Sequence, residues 1–106
     1  MLTGKYQSTD KHPRGSRAAD PAGAAFVRPF LTRGTFATID HLRSIASELG
    51  LTLGQVALAW VLRRPEVTTA IIGATKLAHV DEHVAAADID LDAGTLDAIE
   101  RVLAER

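Results

Sequence analysis

The chain of 106 residues carries 46% hydrophobic and 24% charged residues, enough apolar material for one modest folded unit and too much for a disordered chain. It has no cysteine, which excludes disulfide staples, zinc–thiolate and iron–sulfur sites and cysteine nucleophiles. Twelve Lys and Arg against 13 Asp and Glu give a net charge of −1, and there is no long basic run to follow a nucleic-acid backbone.

The first five residues, Met1-Leu2-Thr3-Gly4-Lys5, lack the charged-then-apolar layout of a signal peptide, so the expected address is the cytoplasm. From Gln7 to Gly34 the sequence is irregular, with Ser, Thr, Asp, Pro and Gly scattered between the cations Lys11, Arg14 and Arg17, and it reads as a long loop. Phe26, Phe30 and Phe36 are expected to pin its later part to a core.

Order begins after Gly34. Ile39, Leu42, Ile45, Ala46 and Leu49 fall on one helical face, and Gly50 supplies a left-handed stop. Thr52-Leu53-Gly54-Gln55 has the capping-box layout, so a second helix starts there. Its run Val56-Ala57-Leu58-Ala59-Trp60-Val61-Leu62 is apolar nearly all round and is expected to be covered on most sides before Arg63-Arg64-Pro65 end it. The run is far shorter than the about 18 apolar residues of a membrane span.

Thr68-Thr69-Ala70-Ile71-Ile72 reads as a short buried strand opening at Gly73. Leu77, Val80 and Val84 keep helical spacing behind an N-cap at Thr75, and a last helix runs from about Ala93 to Ala104 with Asp92 as cap and Leu96, Ile99, Val102 and Leu103 as its apolar face. A strand flanked by helices is α/β grammar, and one strand alone leaves its backbone groups without partners. The chain divides into an irregular segment, 1–35, and a helix-helix-strand-helix-helix segment, 36–106.

The segment from Ile71 to His83 offers the most chemistry. Gly73 allows close backbone approach, Thr75 and Lys76 bring a hydroxyl and a cation to a helix N-terminus, and His79 follows four residues after Thr75, a set that suits a phosphate. On local physics alone the signal is weak, and the simpler reading of the same residues is an N-cap with a solvated Lys and His. His79 and His83 are spaced for one helix face but have no third metal ligand in register.

Three blocks resemble aldo-keto reductases of the type related to potassium-channel β subunits, in that family's order. They are Leu2-Thr3-Gly4-Lys5-Tyr6 with Gly15-Ser16-Arg17-Ala18, then Ala57-Leu58-Ala59-Trp60-Val61-Leu62, then Ile71-Ile72-Gly73-Ala74 with Glu82. The resemblance implies the C-terminal part of an eight-fold β/α (TIM) barrel, a fold that usually needs about 250 residues, and an NADP(H)-dependent carbonyl reductase. It implies that Lys5 lies near the cofactor pyrophosphate and Arg17 on the same closing loop. Gly73, Thr75 and His79 correspond to the 2′-phosphate side. Glu82 corresponds to the acidic residue at the adenine amino edge, beside which His83 stands where the family has Asn; His79 stands where Gln or Arg is usual.

The family's Asp, Tyr, Lys and His tetrad comes from the first half of the barrel, and none of it matches this sequence. Tyr6 belongs to the cofactor loop and is not read as the general acid, while His12 and His41 are read as surface residues. The reading is therefore a cofactor-binding segment, inactive alone, whose start looks internal to the family's pattern. Two other readings stand beside it: a helical module that self-associates, and one half of a split reductase whose complementary N-terminal chain carries the tetrad. No nucleic-acid or membrane partner is expected.

Overall fold

The structure, a computed structural model, describes residues 2, 5–8, 11–74 and 76–105. Among the described residues five α-helices follow one another: α1 (Pro21–Val27), α2 (Arg33–Glu48), α3 (Leu53–Leu62), α4 (Leu77–Ala85) and α5 (Ala93–Ala104). Single 3-10 turns over Arg28–Phe30 and Ala86–Asp88 follow α1 and α4.

Local sequence accounts for most of these boundaries. The α2 helix starts on Thr32, whose side chain accepts the Thr35 N–H, and it ends at Gly50, where φ is 68°. The α3 capping box forms fully: the Thr52 hydroxyl accepts the Gln55 N–H at 3.1 Å, and the Gln55 side chain accepts the Thr52 N–H at 3.1 Å. Asp92 caps α5 by accepting the Thr95 N–H at 2.7 Å.

The core lies where α2, α3 and α5 meet. Ile39, Leu42 and Ala46 from α2, Leu53 and Val56 from α3, and Ile99 from α5 are buried together, with Ile45, Leu51, Trp60, Leu91, Val102 and Leu103 packed around them. The axes of α2 and α3 turn through 91°, and α5 lies across α2. Arg63 at the end of α3 stacks over the Trp60 ring at 3.7 Å, donates to the Trp60 carbonyl at 2.6 Å and reaches Glu100 of α5 at 3.5 Å.

Four expectations need correction. The Gln7–Gly34 stretch is not all loop: Asp20 accepts the Gly23 N–H at 2.9 Å and Pro21 occupies the first helical turn, so α1 forms. Phe26 and Phe30 are not pins, being 75% and 59% exposed, because α1 packs chiefly on the 3-10 turn that follows it; Phe36 is half-buried.

The strand expected at 68–72 does not form. No β-ladder exists among the described residues, and Ile71 is 99% exposed. A strand is defined by its hydrogen-bonding neighbours, and this segment has none. For the same reason α3 is less covered than its composition suggests: Leu53, Gly54, Val56 and Ala59 are buried, while Val61 remains open.

The Asp92 carboxyl is held below its ordinary value of 3.8 by the hydrogen bonds from the Thr95 backbone and side chain. Because the folded pKa lies below the unfolded one, the cap's contribution is complete above the unfolded value and is lost as pH falls through the folded value. Asp92→Ala is accordingly expected to lower the melting temperature at neutral pH. The gap between variant and parent, followed by circular dichroism, should shrink on acidification through and below pH 3.8.

Candidate functional site

Two clusters hold the residues singled out by sequence. The first is built around Tyr6, which is buried and whose hydroxyl accepts the Ala18 N–H at 3.2 Å. That bond clasps the start of the chain to the end of the Gly15-Ser16-Arg17 turn, in which Gly15 takes φ of 73° and the Ser16 N–H donates to the Pro13 carbonyl at 3.1 Å. Lys5 and Arg17 each adjoin the clasp in sequence and are exposed, so two cations flank one anchored turn. Thr3 and Gly4 lie outside the described residues.

His12 departs from its expected surface position. Its ring meets the Tyr6 ring edge-on at 6.4 Å, it is half-buried, and among the described residues neither its enclosed Nδ1 nor the buried Ser16 hydroxyl has a hydrogen-bond partner. His41 is exposed, as its place on α2 suggested.

The second cluster gathers on α4. Lys76 occupies the N-cap position, exposed and making no side-chain cap bond; Thr75, the expected cap, lies outside the described residues. His79 and His83, one turn apart, stack with ring centroids at 6.1 Å, and the buried His83 Nδ1 has no hydrogen-bond partner among the described residues. Among the described residues no three His, Asp or Glu are placed to hold a metal ion.

Glu82 is tied to the start of α3 instead of standing free. Its carboxylate accepts from the Thr52 hydroxyl at 2.7 Å, and its main-chain carbonyl accepts from the Gln55 side-chain amide at 3.3 Å. These polar contacts matter because α4 has no buried residue of its own: Leu77 and Val84 are 77% and 64% exposed, against the expectation that they form an apolar face. The sequence showed Thr52 and Gln55 as a cap. Their reach to Glu82, thirty and twenty-seven residues away, had no local signal.

Between the clusters, an apolar groove of about 420 Å³ opens along α3, lined by residues including Leu2, Leu53, Trp60, Val61, Ile72 and Leu103, with Gly73 and His83 at its border with α4. Among the described residues no single helix is long and apolar enough to cross a membrane.

The model of the aldo/keto reductase family matches residues 1–104. The chain belongs to the aldo/keto reductase family.

Relatives of the same family include the Arabidopsis thaliana protein named "Probable voltage-gated potassium channel subunit beta", 35% identical over 97% of this chain and 32% of the relative. The corresponding Oryza sativa protein is 36% identical over the same shares. Pyridoxine 4-dehydrogenase of Escherichia coli is 39% identical over 74% of this chain and 29% of its own length. The chain thus spans about a third of the length of the curated relatives it matches. The helical arrangement is compatible with part of the family's barrel, and family members generally use a nicotinamide cofactor.

The clasp can be tested directly. Tyr6→Phe removes the acceptor for a partly buried amide and is expected to cost about 1 kcal/mol of stability. Hydrogen exchange of the Ala18 amide should accelerate more than that of the α5 amides; equal effects at both would show that the hydroxyl does not anchor the turn.

Proposed function

We propose that this chain supplies the NADP(H)-holding end of an aldo/keto reductase, with Lys5, Arg17, Gly73, Thr75, Lys76, His79, Glu82 and His83 as the cofactor contacts. The observation that carries the reading is the gathering of Glu82, His83 and His79 on α4 directly behind Lys76 at its N-cap. A helix N-terminus with an exposed cation and no side-chain cap bond is chemically suited to an anionic phosphate.

The donor set fits the group. Lys5, Arg17 and Lys76 are exposed cations for phosphate oxygens, and Glu82 offers an acceptor for an amino edge. His83, where the resemblance would have Asn, has an imidazole that can likewise donate or accept a hydrogen bond. When bound, NADPH supplies the hydride for carbonyl reduction. This chain's residues bind and orient; Tyr6 is buried in its clasp and is not a proton donor to substrate. Reduction requires the tetrad from the remainder of the barrel, and the segment by itself binds without turning over.

The apolar groove favours one addition to this reading. Its lining, together with the neighbouring Ile71, is the kind of open apolar surface that seldom stays bare in a working protein. The rest of the barrel covers it, whether in one polypeptide or as a complementary chain; a second copy of this chain is the alternative occupant.

A thermal melt with and without excess NADPH tests the reading, since a ligand selective for the folded state raises its stability. An upward shift is expected, larger for NADPH than for NADH. Lys5→Ala and Lys76→Ala should each weaken NADPH binding about tenfold, the worth of one charge-assisted hydrogen bond. A cooperative melt unmoved by saturating NADPH would overturn the proposal.

A further inference from the structure

The junction between α3 and α4 contains a carboxylate held more firmly than its exposure requires. The Thr52 hydroxyl has one hydrogen to give, and it gives it to Glu82 Oε1 at 2.7 Å while its lone pair accepts the Gln55 N–H at 3.1 Å. Gln55 in turn holds the α4 backbone through the Glu82 carbonyl at 3.3 Å. Gly54 lies against it: a Cβ at that position would stand 3.0 Å from Glu82 Oε1, close enough that the carboxylate would have to give by a few tenths of an ångström.

A glutamate on a helix surface ordinarily samples many rotamers, and freezing them opposes any contact it makes. Here one carboxylate oxygen is already fixed, and the other has no hydrogen bond among the described residues. An oxygen so placed accepts one further donor at little entropic cost. It discriminates between a purine bearing an amino group and one bearing a carbonyl at the same position, because the second would set acceptor against acceptor.

We propose that Thr52, Gly54 and Gln55 form a socket that positions the Glu82 carboxylate, and that Thr52 is thereby a specificity-determining residue for adenine over a 6-oxo purine. The socket deepens the cofactor reading given above and rests on it. Thr52 acts through Glu82 and touches no ligand itself.

The test separates this role from helix capping, using substitutions that keep the cap. Asp and Asn both cap as well as Thr. Asn retains an N–H donor for Glu82, whereas Asp has no hydrogen to give at neutral pH and sets a second carboxylate beside it. Calorimetry on the full chain would compare adenosine 2′,5′-bisphosphate with inosine 2′,5′-bisphosphate, which carry the same phosphates and differ at the purine edge.

The parent chain is expected to prefer the adenine nucleotide about tenfold, the worth of one hydrogen bond to a charged group. Thr52→Asn should keep that ratio, and Thr52→Asp should bring it near unity. Gly54→Ala, which crowds the carboxylate at 3.0 Å while meeting the Thr52 hydroxyl only at 3.9 Å, should lower the ratio and serves if the Asp variant does not fold. An unchanged ratio in Thr52→Asp or Gly54→Ala, or equal affinity of the parent for both nucleotides, overturns the socket while the cofactor reading stands on its phosphate contacts. Failure of the parent to bind either nucleotide overturns both.

Discussion

The capping box at the start of α3 is the contact on which the placement of the functional segment depends. Thr52 and Gln55 satisfy the free N–H groups of their own helix, as such pairs do. The same two side chains then reach to Glu82, binding its carboxylate and its carbonyl. Since no α4 residue is fully buried, these polar bonds take the place that an apolar stripe would have in an ordinary helix pair. Beyond them, α4 relies on the 3-10 turn behind it, where Ala86 is 1% exposed. Orientation comes from hydrogen-bond geometry, which is directional, and less from burial, which is not.

What the sequence could reveal followed from how local each cause is. Gly50, the Thr52–Gln55 box and the Asp92 cap are set by residues within a turn of one another, and each is readable in the sequence. So is the core, since Ile39, Leu42, Ala46 and Ile99 follow a helical period. The segment 68–72 has an equally clear local pattern and still makes no strand, because its β-branched run needs a ladder from residues distant in the chain or outside it. The short α1 was hidden for the opposite reason: its signal, Asp20-Pro21, is strong but sits in a stretch with no apolar period.

The candidate site divides along the same line. The order of the motif blocks made the family resemblance legible, and it is on those blocks that Lys5, Arg17 and the α4 residues were singled out. That Tyr6 clasps Ala18, that His12 is half-buried against Tyr6, and that Glu82 is anchored by a capping threonine were not legible, because each is a contact between residues that no period or spacing relates. Contacts of this kind decide whether a family position is merely present or held in a usable geometry.

The groove and the α4 site share a border, which bears on how the segment would work within a complete barrel. Gly73 and His83 line the groove, and Glu82 precedes His83 on the helix. On the cofactor reading, strands docked in the groove would give segment 68–72 the ladder it lacks and so fix the backbone leading into Gly73. Ordering that backbone and ordering the nucleotide-binding end of α4 then draw on one conformational cost, and whichever partner binds first lowers the cost for the second. By linkage the benefit is mutual: a chain that binds the nucleotide better when the groove is filled must also bind its groove partner better when the nucleotide is present.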